Sequence, residues 1–504
     1  VSDAPDRLRL TEHVRAVLAI DPTAPAVEHH GRWSSWGELA TIGDELDGIL
    51  RAAGLGAGAP VACLLRNRTE HVGAFIGLLV TERPIVTVNP GQGEDRLAAD
   101  LCALRPAVVV ADREAWTDPV LRAAVDDLGA VGVLVRADPA GAELVTDRSV
   151  PSPGDRLICP DGTAVQMLTS GTTGPPKRIP LYRRALEDSV MGAAHYESAR
   201  SGPRLGSGVR LVTGPLVHIS GIWDVLTSVV AGRRMAMLDR FRVDEWYELV
   251  RRHRPKAVSL VPTALRMVLA AELDRHELSS IQVVTCGTAP IEPETALAFE
   301  DRYGIPVLVL YGATEFAGGV AGWTLEDHRR WSSAKRGSVG RAHPGIELRV
   351  VDADTGTIRP NGEVGLLEVR APQIGGGREW TRTTDLAELD DDGFLWIRGR
   401  SDDAIIRGGF KIVPADVQKV LEAMPGVREA AVIGLPEPRL GAVPVAAIER
   451  EPGVDLDVDD VMAHARANLI HYQVPVAVVV VDALPRTPSL KVSRPDVRAL
   501  FEPA

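Results

Sequence analysis

The stretch Thr169-Ser170-Gly171-Thr172-Thr173-Gly174-Pro175-Pro176-Lys177 gathers hydroxyls, two glycines and a lysine into one short run. Glycines let a backbone curl around an anion and expose its N–H groups. Hydroxyls add donors, and Lys177 adds a compact positive charge suited to phosphate oxygens. The preceding apolar run Val165–Leu168 reads as a strand feeding the loop. The stretch is not a Walker A loop, because no Ser or Thr follows Lys177. By composition alone a Ser/Thr/Gly surface loop is an equal reading. Lysine scarcity tips the balance. Only six of the 56 basic residues are lysine: Lys177, Lys256, Lys335, Lys411, Lys419 and Lys491. Codon bias in a GC-rich genome accounts for the arginine excess, and a lysine retained against it is a candidate for a point charge.

Tyr311-Gly312-Ala313-Thr314-Glu315 directly follows the apolar run Val307–Leu310. Parallel α/β sheets bind ligands at the carboxyl ends of their strands. Glu315 there offers an oxygen ligand to Mg2+, although a glutamate opening a helix is common. Cys286-Gly287-Thr288-Ala289-Pro290 also follows a strand-like run and, taken alone, reads as a turn.

The elements that must hold these residues alternate between apolar strands and helical periodicity. Val61–Leu65, Ile85–Val88, Val108–Ala111, Val131–Val135, Ala257–Val261, Ile281–Val284 and Val307–Leu310 read as buried parallel strands, and Asp244–His253 as a helix. The fold class is α/β, with layered sheets in a large N-terminal domain. After about residue 335 the texture changes to short strands (Leu348–Val351, Gly365–Val369, Phe394–Ile397) divided by Asp/Gly turns. This predicts a small distorted β-barrel over about 335–400. Polar residues Gly399 to Asp403 then precede a new start. Pro414 suits the first turn of a helix, and Val417, Val420, Leu421 and Met424 form its apolar stripe. Strands at Ala430–Ile433, Val443–Ile448 and Val476–Val481, with a helix at Val458–Leu469, complete a small α+β domain. The expected division is 1–400, a hinge at 401–402, and a mobile domain at 403–504.

In this order the segments resemble the adenylate-forming superfamily: acyl- and aryl-CoA synthetases, peptide-synthetase adenylation domains and firefly-type luciferases. The likeness runs over roughly residues 25–497. It implies that Thr169, Ser170, Gly171, Thr172, Thr173, Gly174 and Lys177 wrap the ATP phosphates. Gly287, Thr288 and Ala289 would lie beside the adenine, with Tyr311 and Gly312. Thr314 would contact the α-phosphate and Glu315 would ligate Mg2+. In Thr383-Thr384-Asp385, Asp385 would bind the ribose, as would Arg400 of Gly399-Arg400-Ser401-Asp402-Asp403, with Asp402 as hinge. Lys491, closing Pro485-Arg486-Thr487-Pro488-Ser489-Leu490-Lys491, would be the catalytic lysine.

The implied reaction is attack of a carboxylate on the α-phosphorus of ATP with loss of pyrophosphate. Mg2+, Lys491 and backbone donors would stabilise the growing negative charge. Rotation at Asp402 would then present Gly408 and Gly409 to a pantetheine arm, passing the acyl group to the thiol of CoA and releasing AMP. Leu216-Val217-His218-Ile219-Ser220-Gly221 resembles the acid-pocket segment of the CoA synthetases, with His218 at the carboxylate end. Amino-acid activators carry an Asp where Ile219 stands, so an amino-acid substrate is disfavoured. Small residues Ser220, Gly221, Ala317, Gly318 and Gly319 would leave room for a bulky or long acid.

Four positions depart from the family pattern: Arg178, Thr384, Gln418 and Leu490 replace Gly, Gly, Glu and Gly. They keep rivals open: an enzyme specialised for one half-reaction, a ligase that hands the acid to a carrier protein, or a nucleotide-binding pseudoenzyme scaffold. The net charge of −12 disfavours nucleic acid. No apolar run approaches the ~20 residues of a membrane span. No secretory leader is read, and four scattered cysteines argue against disulfides, so the cytoplasm is expected. The oligomeric state, homodimer included, is left open.

Overall fold

Three short runs of small and branched apolar residues, Val61–Leu64, Ile85–Val88 and Val108–Ala111, are buried at every position. That is the signature of parallel strands covered on both faces. They form the centre of a seven-stranded sheet ordered Ala140–Leu144, Val131–Ala137, Val108–Ala111, Val61–Leu64, Ile85–Val88, Thr163–Thr169, Lys177–Tyr182. The inner pairings are parallel. Both edge strands are antiparallel.

This computed structural model describes residues 9–91, 93–152, 154–169, 177–193, 202–408, 410–487 and 490–502. Two compact units divide the chain. The first takes the chain up to 169, then 176–330 and 371–379; the second takes 170–175, 331–370 and 380–504.

The first unit holds two further sheets. Ala257–Leu260, Val283–Cys286 and Val307–Ala313 run parallel, and Gly318–Gly322 returns antiparallel on the last. The expected strand Ile281–Val284 lies two residues further on, because its pairing with the neighbouring strand sets Val283 opposite Ala257. A third sheet of Val209–Val212, Arg234–Met237, Pro25–His29 and Arg32–Ser35 adds strands the sequence reading does not contain. Its strands are four or five residues long, and the local hairpin of Pro25–His29 and Arg32–Ser35 joins the rest over great chain distance, as Val27 does with Met235. Periodicity has no purchase on such pairings.

Helix Trp36–Ala52 starts at a reciprocal cap: Glu38 N–H donates to Ser35 Oγ at 3.1 Å, and Ser35 N–H to the Glu38 carboxylate at 2.7 Å. It packs on helix Thr69–Val80, with Gly43 against Gly77. A Cβ on Gly43 would stand 2.7 Å from the Gly77 Cα, so the two backbones touch there. The expected helix at 244–253 is present as Val243–His253.

In the second unit, Glu347–Val351, Gly365–Arg370, Thr381–Leu389 and Leu395–Arg400 form an antiparallel meander where a small barrel is predicted. Another sheet follows: Phe410–Ile412, Ile405–Arg407, Gly441–Arg450 and Val427–Glu437, with Ala477–Val481 parallel to Gly441–Arg450. Helices Pro414–Glu422 and Val458–Asn468 bury Val417, Leu421, Val461 and Ala465 in its core. Among the described residues no helix is long and apolar enough to cross a membrane. All four cysteines are free thiols. Burial pushes Cys286 up to about 12 and Cys159 to about 11.

Candidate active site

Strand pairing does most of the assembly in the first unit. Thr163–Thr169 and Lys177–Tyr182 pair so that Thr169 lies opposite Lys177, which closes the ends of the hydroxyl- and glycine-rich loop. Ser170, Gly171, Thr172, Thr173 and Gly174 lie outside the described residues. Lys177 is exposed.

Arg178, the first departure, anchors this hairpin. It donates to both oxygens of Asp100 at 2.7 Å and to the carbonyl of Thr87 at 3.0 Å. A glycine there would leave the base of the loop without this tie.

The strand Lys177–Tyr182 lies beside the short turn Thr314–Phe316. Thr314 is half-buried and Glu315 is exposed. The Glu315 carboxylate has no hydrogen-bond or ion-pair partner among the described residues, which suits a hard oxygen ligand such as Mg2+ demands. Ala317 ends the turn with φ 55°, and strand Gly318–Gly322 folds back on Tyr311–Ala313. Gly312 must be small, since a Cβ would sit 2.4 Å from the Gly318 carbonyl. The parallel neighbour Val283–Cys286 carries Gly287, Thr288 and Ala289 to the same end. Thr288 holds φ 73°, rare for a β-branched residue. Lys177, Thr314, Glu315, Tyr311 and Gly287 to Ala289 thus belong to one end of adjoining strands.

His218 is the N-cap residue of helix Ile219–Val230, its N–H bonded to the Pro215 carbonyl at 2.9 Å. That helix packs against strand Gly318–Gly322 and helix Arg183–Ala193, where Trp223 Nε1 donates to Ser189 Oγ at 3.3 Å. The small residues need a different account from the one expected. A Cβ on Gly221 would stand 2.3 Å from the Pro215 carbonyl, and one on Gly318 would stand 2.4 Å from Ser189 Oγ. These two glycines let chain pack on chain; the space beside them is already filled. Asp224 is buried and ion-paired to Arg210 at 2.5 Å, and Arg210 also bonds Ser259. It is therefore committed to structure.

Sequence reasoning missed Asn67. Its buried amide donates to the carbonyls of Gly214 and Leu238, both at 3.0 Å, while its oxygen accepts from Leu216 N–H at 2.8 Å. It clamps the loop that leads into His218. Its only signal was a place in the polar run Arg66 to His71, between an apolar strand and an apolar helix.

In the second unit Asp385 sits opposite Arg400 on paired strands. Arg400 donates to both carboxylate oxygens of Asp402, at 2.9 and 2.8 Å, and to Thr384 Oγ1 at 2.7 Å. The hydrogen bond it donates to Asp402 raises the Arg400 guanidinium above its usual range. Burial alone would raise the Asp402 carboxyl, but the Arg400 hydrogen bond and charge outweigh it and hold it low. The departure to Thr384 supplies one of the Arg400 acceptors. Gln418 likewise has a task, its Nε2 donating to the Ala430 carbonyl at 2.9 Å.

Lys491 lies on a tight turn: Leu490 N–H bonds the Thr487 carbonyl at 2.8 Å, and Thr487 N–H the Lys491 carbonyl at 2.7 Å. Arg486 beside it reaches Glu429 at 2.5 Å and Glu449 at 3.2 Å. Leu490 holds φ 62°, so a leucine occupies the left-handed conformation that glycine adopts without cost. Gly408 has φ 56° and is exposed; Gly409 lies outside the described residues.

Comparison with known proteins bears on both units. Residues 14–377 match the family model described as AMP-binding enzyme, and 416–491 the one for the AMP-binding enzyme C-terminal domain. Indoleacetate–CoA ligase of Aromatoleum aromaticum is 30% identical, with 98% of each chain covered. Feruloyl-CoA synthase of an Amycolatopsis species is 31% identical, covering 96% of this chain and 97% of that one. Among solved structures, ATP-bound MatB from Rhodopseudomonas palustris superposes with a TM-score of 0.80 at 25% identity, covering 98% and 99% of the two chains. An amide bond synthetase from Marinactinospora thermotolerans gives 0.77 at 26%, covering 98% and 100%. The chain belongs to the AMP-binding enzyme family, the adenylate-forming superfamily, and within it to the ligases of the acyl-CoA synthetase kind.

Proposed function

We propose that this chain converts an aryl or arylalkyl carboxylic acid to its CoA thioester through an acyl-adenylate, at the expense of ATP. The observation that carries the ligase reading is the convergence of Lys177, Thr314, Glu315, Tyr311 and Gly287 to Ala289 at one end of adjoining strands. Lys177 and the backbone of its loop would hold the β- and γ-phosphates. Thr314 would bond the α-phosphate, Tyr311 would lie against the adenine, and Asp385 and Arg400 would bind the ribose. Glu315 would hold Mg2+, which supplies charge neutralisation at the phosphates. Lys491 would bring a positive charge to the oxygens that gain electron density as the carboxylate attacks. Transfer to the thiol follows once the 403–504 domain turns at Asp402, which requires the Arg400–Asp402 clasp to open. Gly408 and Gly409 would then border the pantetheine path.

The acid class is supported by relatives named for indoleacetate, coumarate and ferulate, and by Trp223 beside the strand Gly318–Gly322. A relative named for sulfoacetate marks the opposing option of a small acid. Neither Ile219 nor Asp224, which is committed to Arg210, offers a carboxylate to a substrate ammonium. The likeness to an amide bond synthetase favours a second reading, in which the adenylate passes to an acceptor other than CoA, such as a carrier-protein thiol.

Mass spectrometry of products from the protein with ATP, Mg2+, CoA and a panel of acids tests this. The expected products are an aryl-containing acyl-CoA and AMP. Preference for acetate, propionate or sulfoacetate over every aryl acid overturns the acid class. Acyl-adenylate that accumulates beside unused CoA selects the second reading.

A further inference from the structure

The tip of the hairpin between Pro25–His29 and Arg32–Ser35 carries two adjacent histidines. His30 and Gly31 hold φ of 50° and 78°. Two consecutive positive values make the tight turn that matches strand twist. The turn folds His30 beside His29, with ring centroids 4.1 Å apart. The neighbouring strand Arg234–Met237 pairs Met237 with His29, and two residues later Asp239 arrives beneath both rings. His29 Nε2 stands 2.9 Å from one Asp239 oxygen and His30 Nε2 stands 2.9 Å from the other. All the donor atoms lie within 4.8 Å of one another.

We propose that His29, His30 and Asp239 form a site for a divalent transition-metal ion of the zinc class, separate from the ATP and acid sites. Two imidazoles and a carboxylate make a donor set that suits zinc better than magnesium or calcium. Bonds of about 2.0–2.1 Å in a tetrahedron set neighbouring donors roughly 3.3 Å apart. Each His–Asp239 contact, at 2.9 Å, would open by a few tenths of an ångström to admit the ion. His30 and Asp239 side chains are 69% and 41% exposed, which leaves an entry path and a fourth position for water. His29 is 14% exposed and fixed by its strand.

The surroundings favour a cation. The carboxylates of Glu70, Asp112 and Glu114 gather near Asp239, with Arg66 and Arg68 paired among them. Arg68 Nε lies 3.7 Å from the Asp239 oxygen that His29 contacts, an ion pair that limits movement of the carboxylate. Leu238, next to Asp239, is held by Asn67, so the ion would tie the hairpin tip to a turn that is already braced.

Isothermal titration of EDTA-treated, tag-free protein with zinc chloride, in excess Mg2+ and without nucleotide, tests the site. One zinc per chain is expected. His30→Asn, which tolerates a positive φ, and Asp239→Asn should each weaken binding at least about tenfold. The zinc-dependent rise in Tm should disappear in both. Equal binding by wild type and both variants, or no binding by wild type, overturns the proposal. Cobalt substitution gives a readout that needs no variant. Visible bands of four-coordinate cobalt without thiolate charge transfer support the site. Thiolate charge transfer, as the exposed Cys102 would give, overturns it.

Discussion

Leu490, immediately before Lys491, occupies the left-handed region at φ 62°. For an L-residue with a side chain this conformation costs about 1–2 kcal/mol. The cost is borne by a closed turn of two backbone hydrogen bonds, fastened through Arg486 to Glu429 and Glu449. Leu490 therefore takes the backbone conformation that a glycine would adopt at that position. If Lys491 acts on the forming adenylate, Lys491→Ala should lower adenylation by about 10²–10³-fold. Thioester formation from supplied acyl-adenylate should stay near the wild-type rate. Pyrophosphate release separates the two half-reactions, and unchanged adenylation would move the role to another residue. The remaining departures also have partners: Arg178 holds Asp100, Thr384 accepts from Arg400, and Gln418 reaches Ala430. They read as altered fastenings around a retained set of polar residues.

At the scale of elements, Asn67 fastens the entry to helix Ile219–Val230 onto the end of strand Arg234–Met237. Asn67→Ala removes three hydrogen bonds and leaves two buried carbonyls and one N–H to find water. The expected loss of stability is about 2–3 kcal/mol. Because the loosened loop carries His218, which we propose borders the acid, KM for the acid should rise about tenfold while KM for ATP moves by less than about twofold. Steady-state titration of both substrates checks this, and equal changes in the two would reduce Asn67 to a purely structural role. The strands at 85–88 and 108–111 were legible in the sequence to the residue, since full burial writes itself as an unbroken apolar run. Lys177, Thr314 and Glu315 were singled out by type and order alone, and the structure sets the strand that Lys177 opens beside the turn that carries Thr314 and Glu315. Asn67 was not, because its meaning lies in backbone groups of Gly214, Leu216 and Leu238 that no spacing announces. The glycines were misleading for a related reason. Sequence shows that Gly221 is small but not that the Pro215 carbonyl occupies the vacancy.

Across the whole molecule, buried polar groups set the response to acid. His71 is buried, and its Nδ1 accepts the Arg66 N–H at 2.7 Å, which requires a neutral ring. Burial lowers its pKa to about 4 from 6.5, against the pull of Asp112. Between those values the unfolded chain binds a proton that the folded chain refuses, so stability is full above about 6.5 and falls as the pH drops towards 4. Urea midpoints measured across that window should decline, and His71→Asn should flatten the decline. An identical slope in the variant would assign the effect to other groups. The alkaline side is built differently. The pairs Arg178–Asp100, Arg210–Asp224, Arg400–Asp402, Arg486–Glu429 and Arg494–Asp403 all rely on guanidinium, which keeps its proton where an ammonium would begin to lose it. Burial delays ionisation of the Cys63 and Cys286 thiols in the same direction. An arginine-rich composition thus yields a chain whose tolerance is lopsided, giving way first in mild acid and holding its cross-braces well into alkali.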